Sequence, residues 1–112
     1  MTKVRTMLAG AVLSMTAVAA SASAQSDGKA LYNENCRTCH GVTGVPPKAM
    51  KSKFPKIAAF DAAFVAARSD DSLVKVLAKA KNENMTSFKD KLNHDEAEAI
   101  AKYVRELGTK TR

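Results

Sequence analysis

Five consecutive residues, Cys36-Arg37-Thr38-Cys39-His40, constrain this chain more than any other feature. On a helical turn, side chains three or four positions apart share a face, so Cys36 meets both Cys39 and His40 there. Two thiols so placed can add to two vinyl groups on one edge of a haem, and the imidazole then points at the iron. That is the mechanical basis for reading C-x-x-C-H as a c-type haem attachment site. Three other chemistries use the same residue types. A thioredoxin-like redox pair needs a βαβ setting, which the sequence does not predict. A structural zinc takes four ligands; three are here, two of them adjacent, with no second C-x-x-C. A plain disulfide is the remaining alternative.

The N-terminal residues read as a leader. Lys3 and Arg5 form a basic head, and Met7 to Ala20 is almost wholly apolar. Ala22-Ser23-Ala24 has the small-residue form cut by signal peptidase. The apolar run is shorter than the roughly 20 residues of a membrane-spanning helix. The expectation is a secretory signal over residues 1–24, cleaved after Ala24, and one domain over 25–112. The product is expected to be soluble in the periplasm, without stable membrane insertion. A domain this short buries little apolar surface by itself. Aromatic residues make up 5% of the chain and Trp is absent, so a large buried cofactor would supply what the core lacks.

The apolar spacing predicts an all-α fold. A first helix spans about 27–36, capped by Ser26 or Asp27. The Gly- and Pro-rich segment 41–56 is expected to be irregular. The Ala-rich run 58–68 is read as a short helix, and another opens at Asp70-Asp71 and ends near Lys81. Residues 82–92 read as a loop. Asn93 and Glu96 form a capping-box pattern before the last helix, with apolar positions at Ala97, Ile100, Ala101, Val104 and Leu107. Gly108 is expected to end it.

A haem held by one imidazole needs a sixth ligand or an open face. The candidates are Met50 in the Pro-rich segment, Met85 in a polar loop and His94 at the start of the last helix. Spacing alone does not choose among them. An alternative use of Met85 is gap-filling in the core.

The chain resembles the small single-haem class I cytochromes c, including bacterial c6-like types. The resemblance rests on Gly28-Lys29-Ala30-Leu31-Tyr32 before the motif, Met85-Thr86-Ser87-Phe88, Leu92 to Ala97, and Ile100 to Val104. It implies the class I fold, three to five helices wrapped around one haem c attached through Cys36 and Cys39. It also implies iron between His40 and Met85, a close helix crossing at Gly28, and Tyr32 meeting Tyr103 there. A prolyl carbonyl, Pro55 or alternatively Pro47, would accept the proximal imidazole's N–H. Two departures stand out: Thr86 replaces a frequent Pro, and Lys81-Asn82-Glu83-Asn84 replaces a frequent Gly. A looser ligand loop is the expected result.

Met/His ligation fills the iron's coordination and raises its potential. The expected function is therefore one-electron carriage rather than catalysis. An open sixth site would instead make an enzyme or gas binder. A dedicated electron-transfer subunit of a larger dehydrogenase is another reading. The whole chain has a net charge of +7. Lys48, Lys51, Lys53, Lys56, Lys79, Lys81, Lys89 and Lys91 gather in the two loops that the resemblance places beside the haem edge. A basic rim would steer a monomer toward donor and acceptor proteins with acidic docking surfaces. Nucleic acid is a poor partner, because no aromatic stacking platform accompanies the charge.

Overall fold

The computed structural model describes residues 10–12, 27–79 and 82–110. The expected leader and its cut site fall largely outside them. Every regular element among the described residues is helical: α1 Gly28–Asn35, α2 Arg37–His40, α3 Lys48–Lys53, α4 Ala62–Ala66, α5 Asp70–Ala78 and α6 His94–Lys110. These are six segments where three to five helices were expected; α2 and α4 are little more than single turns.

Local chemistry sets most helix starts. Asp27 accepts from the Ala30 N–H at 3.2 Å, Asp61 from Phe64 at 2.8 Å, and Ser69 from Ser72 at 3.2 Å. Each side chain satisfies a backbone donor that a helix leaves unpaired. The Asn93/Glu96 box forms in both directions, with bonds of 2.8 and 3.1 Å. α6 then buries Ala97, Ile100, Ala101, Val104 and Leu107 on one stripe. α1, α4 and α5 all pack against it. Tyr32, Phe60, Val65, Leu73, Leu77 and Leu92 complete the core.

The expected close crossing is present. A Cβ on Gly28 would overlap the carbonyl oxygen of Ala99, so α1 and α6 approach to backbone contact there. Tyr32 and Tyr103 meet edge-on, with ring centroids 5.2 Å apart.

Three boundaries differ from the sequence reading. α3 lies within the segment expected to be irregular; Pro46 and Pro47 precede it and Pro55 follows it, so no proline interrupts its hydrogen bonds. α4 starts only after Asp61, because that side chain caps it, and residues 58–61 are not helical. Gly108 does not end α6 but lies buried inside it. A Cβ there would stand 2.7 and 2.8 Å from the two methyls of Val65, so glycine serves the packing of α4 on α6.

Arg105 fastens the same corner. Its guanidinium donates to the carbonyls of Val65 at 3.0 Å and Arg68 at 2.8 Å, and to the Asp70 carboxylate at 2.7 Å. One side chain thereby serves carbonyls at the end of α4 and the first turn of α5.

Candidate cofactor site

Cys36 closes α1 and opens α2, its N–H bonding to the Tyr32 carbonyl at 2.8 Å. The His40 N–H bonds back to the Cys36 carbonyl at 2.9 Å, so the motif is one hydrogen-bonded turn. Cys36 is buried, Cys39 is half-buried, and neither forms a disulfide. Burial, then the neighbouring charge of Cys39, pushes the Cys36 thiol up to about 11. A redox-active thiol needs the opposite shift. With no strand among the described residues either, the thioredoxin-like alternative loses its support. Among the described residues no cluster of three His, Cys, Asp or Glu side chains is arranged to hold a metal ion, which disfavours the zinc reading.

The imidazole of His40 stacks on Phe60, with centroids 4.6 Å apart and planes 21° from parallel. Its Nδ1 is buried without a hydrogen-bond partner. Burial lowers its pKa below the ordinary histidine value, while the Ala58 backbone acts in the opposite direction. A neutral imidazole keeps a lone pair for a metal. The turn is braced from below: Tyr32, fully buried, donates its hydroxyl to the Gly41 carbonyl at 2.7 Å.

The other candidates lie on separate segments. Met85 is half-buried against the core from the loop between α5 and α6. Pro55 is exposed in the turn after α3, and Met50 is half-buried on α3. His94 is exposed at the start of α6 and pairs with Glu98 at 3.2 Å. Thus Cys36, Cys39 and His40 come together on one turn. No hydrogen bond among the described residues joins Met85 or Pro55 to it. Phe60, the bond from Tyr32 to Gly41, and the backbone-binding roles of Asn82 and Ser87 in the Met85 loop are additions that the sequence reading missed. Asn82 carried a usable signal, since Asn three residues before a loop position often folds back onto the backbone; Phe60 carried none.

The exposed lysines are arranged unevenly. From Arg37 to Phe60 the sequence holds no acidic residue, and Lys48, Lys51, Lys53 and Lys56 all face solvent. Lys79, Lys89 and Lys91 are also exposed, on the flanks of the Met85 loop. No helix among the described residues is long and apolar enough to cross a membrane.

Two unlinked thiols and a buried, unpartnered imidazole nitrogen on one turn of an all-helical fold suit covalent haem attachment. This combination defines a small monohaem class I cytochrome c. Residues 23–104 match the family described as cytochrome c oxidase, cbb3-type, subunit III, and the chain belongs to that family. Among solved structures it is similar to the KustC0563 c-type cytochrome, with 34% identity, a TM-score of 0.66, and coverage of 73% of this chain and 98% of the other. A tyrosine-to-phenylalanine mutant of that protein matches at 32% identity and a TM-score of 0.65, over 73% and 99% of the two chains. No curated protein matches the chain. The cofactor is accordingly a covalently attached haem c, and the protein is a haem electron carrier that works with redox partners.

Proposed function

We propose that Cys36 and Cys39 would hold the haem through thioether bonds, that His40 and Met85 would ligate its iron, and that the protein is a periplasmic one-electron shuttle rather than an enzyme. The observation carrying this reading is the single turn on which both unlinked thiols and the imidazole converge. When bound, the haem supplies exchange of one electron between Fe(III) and Fe(II). His40 contributes a neutral nitrogen, held by the Phe60 stack. Pro55, or alternatively Pro47, would accept the N–H of the same ring; Pro55 belongs to the turn that leads into Ala58, whose backbone acts on the imidazole. Met85 offers a soft thioether from a loop that also packs on the core. With both His40 and Met85 bound, the iron would keep no position for substrate.

The leader pattern supports cleavage after Ala24 and export. The protein then acts as a soluble monomer, with no affinity for nucleic acid or stable insertion in a membrane. The exposed lysines beside both loops favour donor and acceptor proteins with acidic docking faces, in brief and salt-sensitive contacts. The family's description as an oxidase subunit favours one second reading, a carrier fixed within a larger redox complex. Isolation from the native source separates them, because the shuttle purifies alone and the subunit with its complex.

Optical spectra of the mature holoprotein test the ligand assignment. The oxidised protein should show a sulfur-to-iron band toward the red end of the spectrum. Met85→Ala should abolish it while mass spectrometry still finds one attached haem. A high-spin spectrum in the unmodified protein, or a band untouched by Met85→Ala, would overturn the assignment.

A further inference from the structure

The loop that carries Met85 is closed by its own side chains. The Oδ1 of Asn82 accepts from two backbone donors, Asn84 at 2.9 Å and Met85 itself at 3.0 Å. At the neck, Ser87 donates its hydroxyl to the Ala78 carbonyl at 2.8 Å and its Oγ accepts from the Lys89 N–H at 3.2 Å. The Phe88 N–H bonds to the Leu77 carbonyl at 2.8 Å. Met85 is therefore fixed on one side by an amide oxygen and on the other by the last turn of α5. The expectation of a looser loop rested in part on Lys81, which lies outside the described residues, but Asn82 and Ser87 both bind backbone within the loop. Where the resemblance led us to expect Gly and Pro, the loop carries Asn82 and Ser87 as its backbone-binding side chains.

We infer that Asn82 is a positioning residue for the sixth ligand, holding the Met85 backbone so that its thioether stays on the iron; the inference rests on the reading of Met85 as that ligand. A thioether is a weak donor, so its bound population depends on how much freedom the loop must lose to deliver it. Removing the Asn82 oxygen frees two backbone donors and the φ/ψ angles they fix. At the usual net worth of a hydrogen bond, the ligand-off population should rise about five- to tenfold.

Imidazole titration of the oxidised holoprotein reads that population directly, because imidazole competes with Met85 for the iron. Asn82→Ala should bind imidazole about five- to tenfold more tightly than the unmodified protein. Asn82→Asp keeps the acceptor oxygen and should stay close to the unmodified value. An unchanged affinity in Asn82→Ala, or an Asp variant that behaves like Ala, overturns the positioning role. Met85→Ala sets the upper limit. If it binds imidazole no better than the unmodified protein, the ligand assignment itself fails and the positioning role falls with it. Tight binding by Met85→Ala alone, with Asn82→Ala unchanged, overturns only the positioning role.

Discussion

The phenol of Tyr32 donates a 2.7 Å hydrogen bond to the carbonyl of Gly41, the residue that follows His40. The ring is wholly buried, edge-on to both Phe60 and Tyr103. One contact thus ties the first helix to the end of the cofactor-binding turn. Burial first, then the charges of Cys36 and Tyr103, raises the phenol's pKa well above its ordinary value near 10.

Tyr32→Phe should therefore lose about 0.5–1.5 kcal/mol at neutral pH, since the Gly41 carbonyl keeps only its longer bond from the Gly44 N–H at 3.3 Å. The folded state holds the phenol proton more tightly than the unfolded chain does. Its contribution is complete below pH 10 and is lost as the pH rises beyond it. Denaturant unfolding at pH 7 and above pH 10 should show the gap between the two proteins narrowing in alkali. A gap that stays constant would mean the phenol is not buried as described.

Gly108→Ala sets two effects against each other. Alanine gains up to roughly 1 kcal/mol of helix propensity over glycine. The new methyl would press on Val65 at 2.7 Å and on the Asp61 carbonyl at 3.0 Å. Overpacking of that kind costs about 1–3 kcal/mol, so a net loss is expected. Val65→Ala removes the main obstacle, and the double variant should be less damaged than the two single losses added together. Thermal unfolding of all four proteins gives the coupling, which should exceed about 0.5 kcal/mol. Simple additivity would show that the two residues do not touch.

Charge reversal at Lys48 and Lys51 tests the docking face. Both are exposed on α3, in a stretch free of acidic residues. Stopped-flow electron transfer from an acidic donor protein should be fast at low salt and fall as the ionic strength rises. Lys48→Glu combined with Lys51→Glu should lower the low-salt rate about tenfold or more and flatten the salt dependence. Equal rates at every salt concentration would place the docking face elsewhere.

The parts legible in the sequence are those decided by near neighbours. The Asn93/Glu96 box and the apolar stripe of α6 need only residues within a few turns, and both formed where expected. Cys36, Cys39 and His40 share a turn for the same reason. What escaped depends on distant partners. Gly108 looks like a helix stop until Val65, which lies far back in the chain, is seen against it. Phe60 reaches His40 only because the chain between them folds back, and the Phe60 N–H bonds to the Gly44 carbonyl at 2.8 Å. α3 was hidden by its prolines, which punctuate the ends of a helix as readily as they forbid one.

The backbone contact between Gly28 and Ala99 joins segments near the two ends of the domain. A pairing of that span has to wait until the last helix has been made and can reach α1. Closing so long a loop slows folding more than it weakens the product, since each doubling of loop length adds only about 0.6 kcal/mol of entropy. Shortening the chain by the width of α6 would take away the partner of three other helices at once. Docking of α1, α4 and α5 therefore waits on α6, and that helix sets when the core can close.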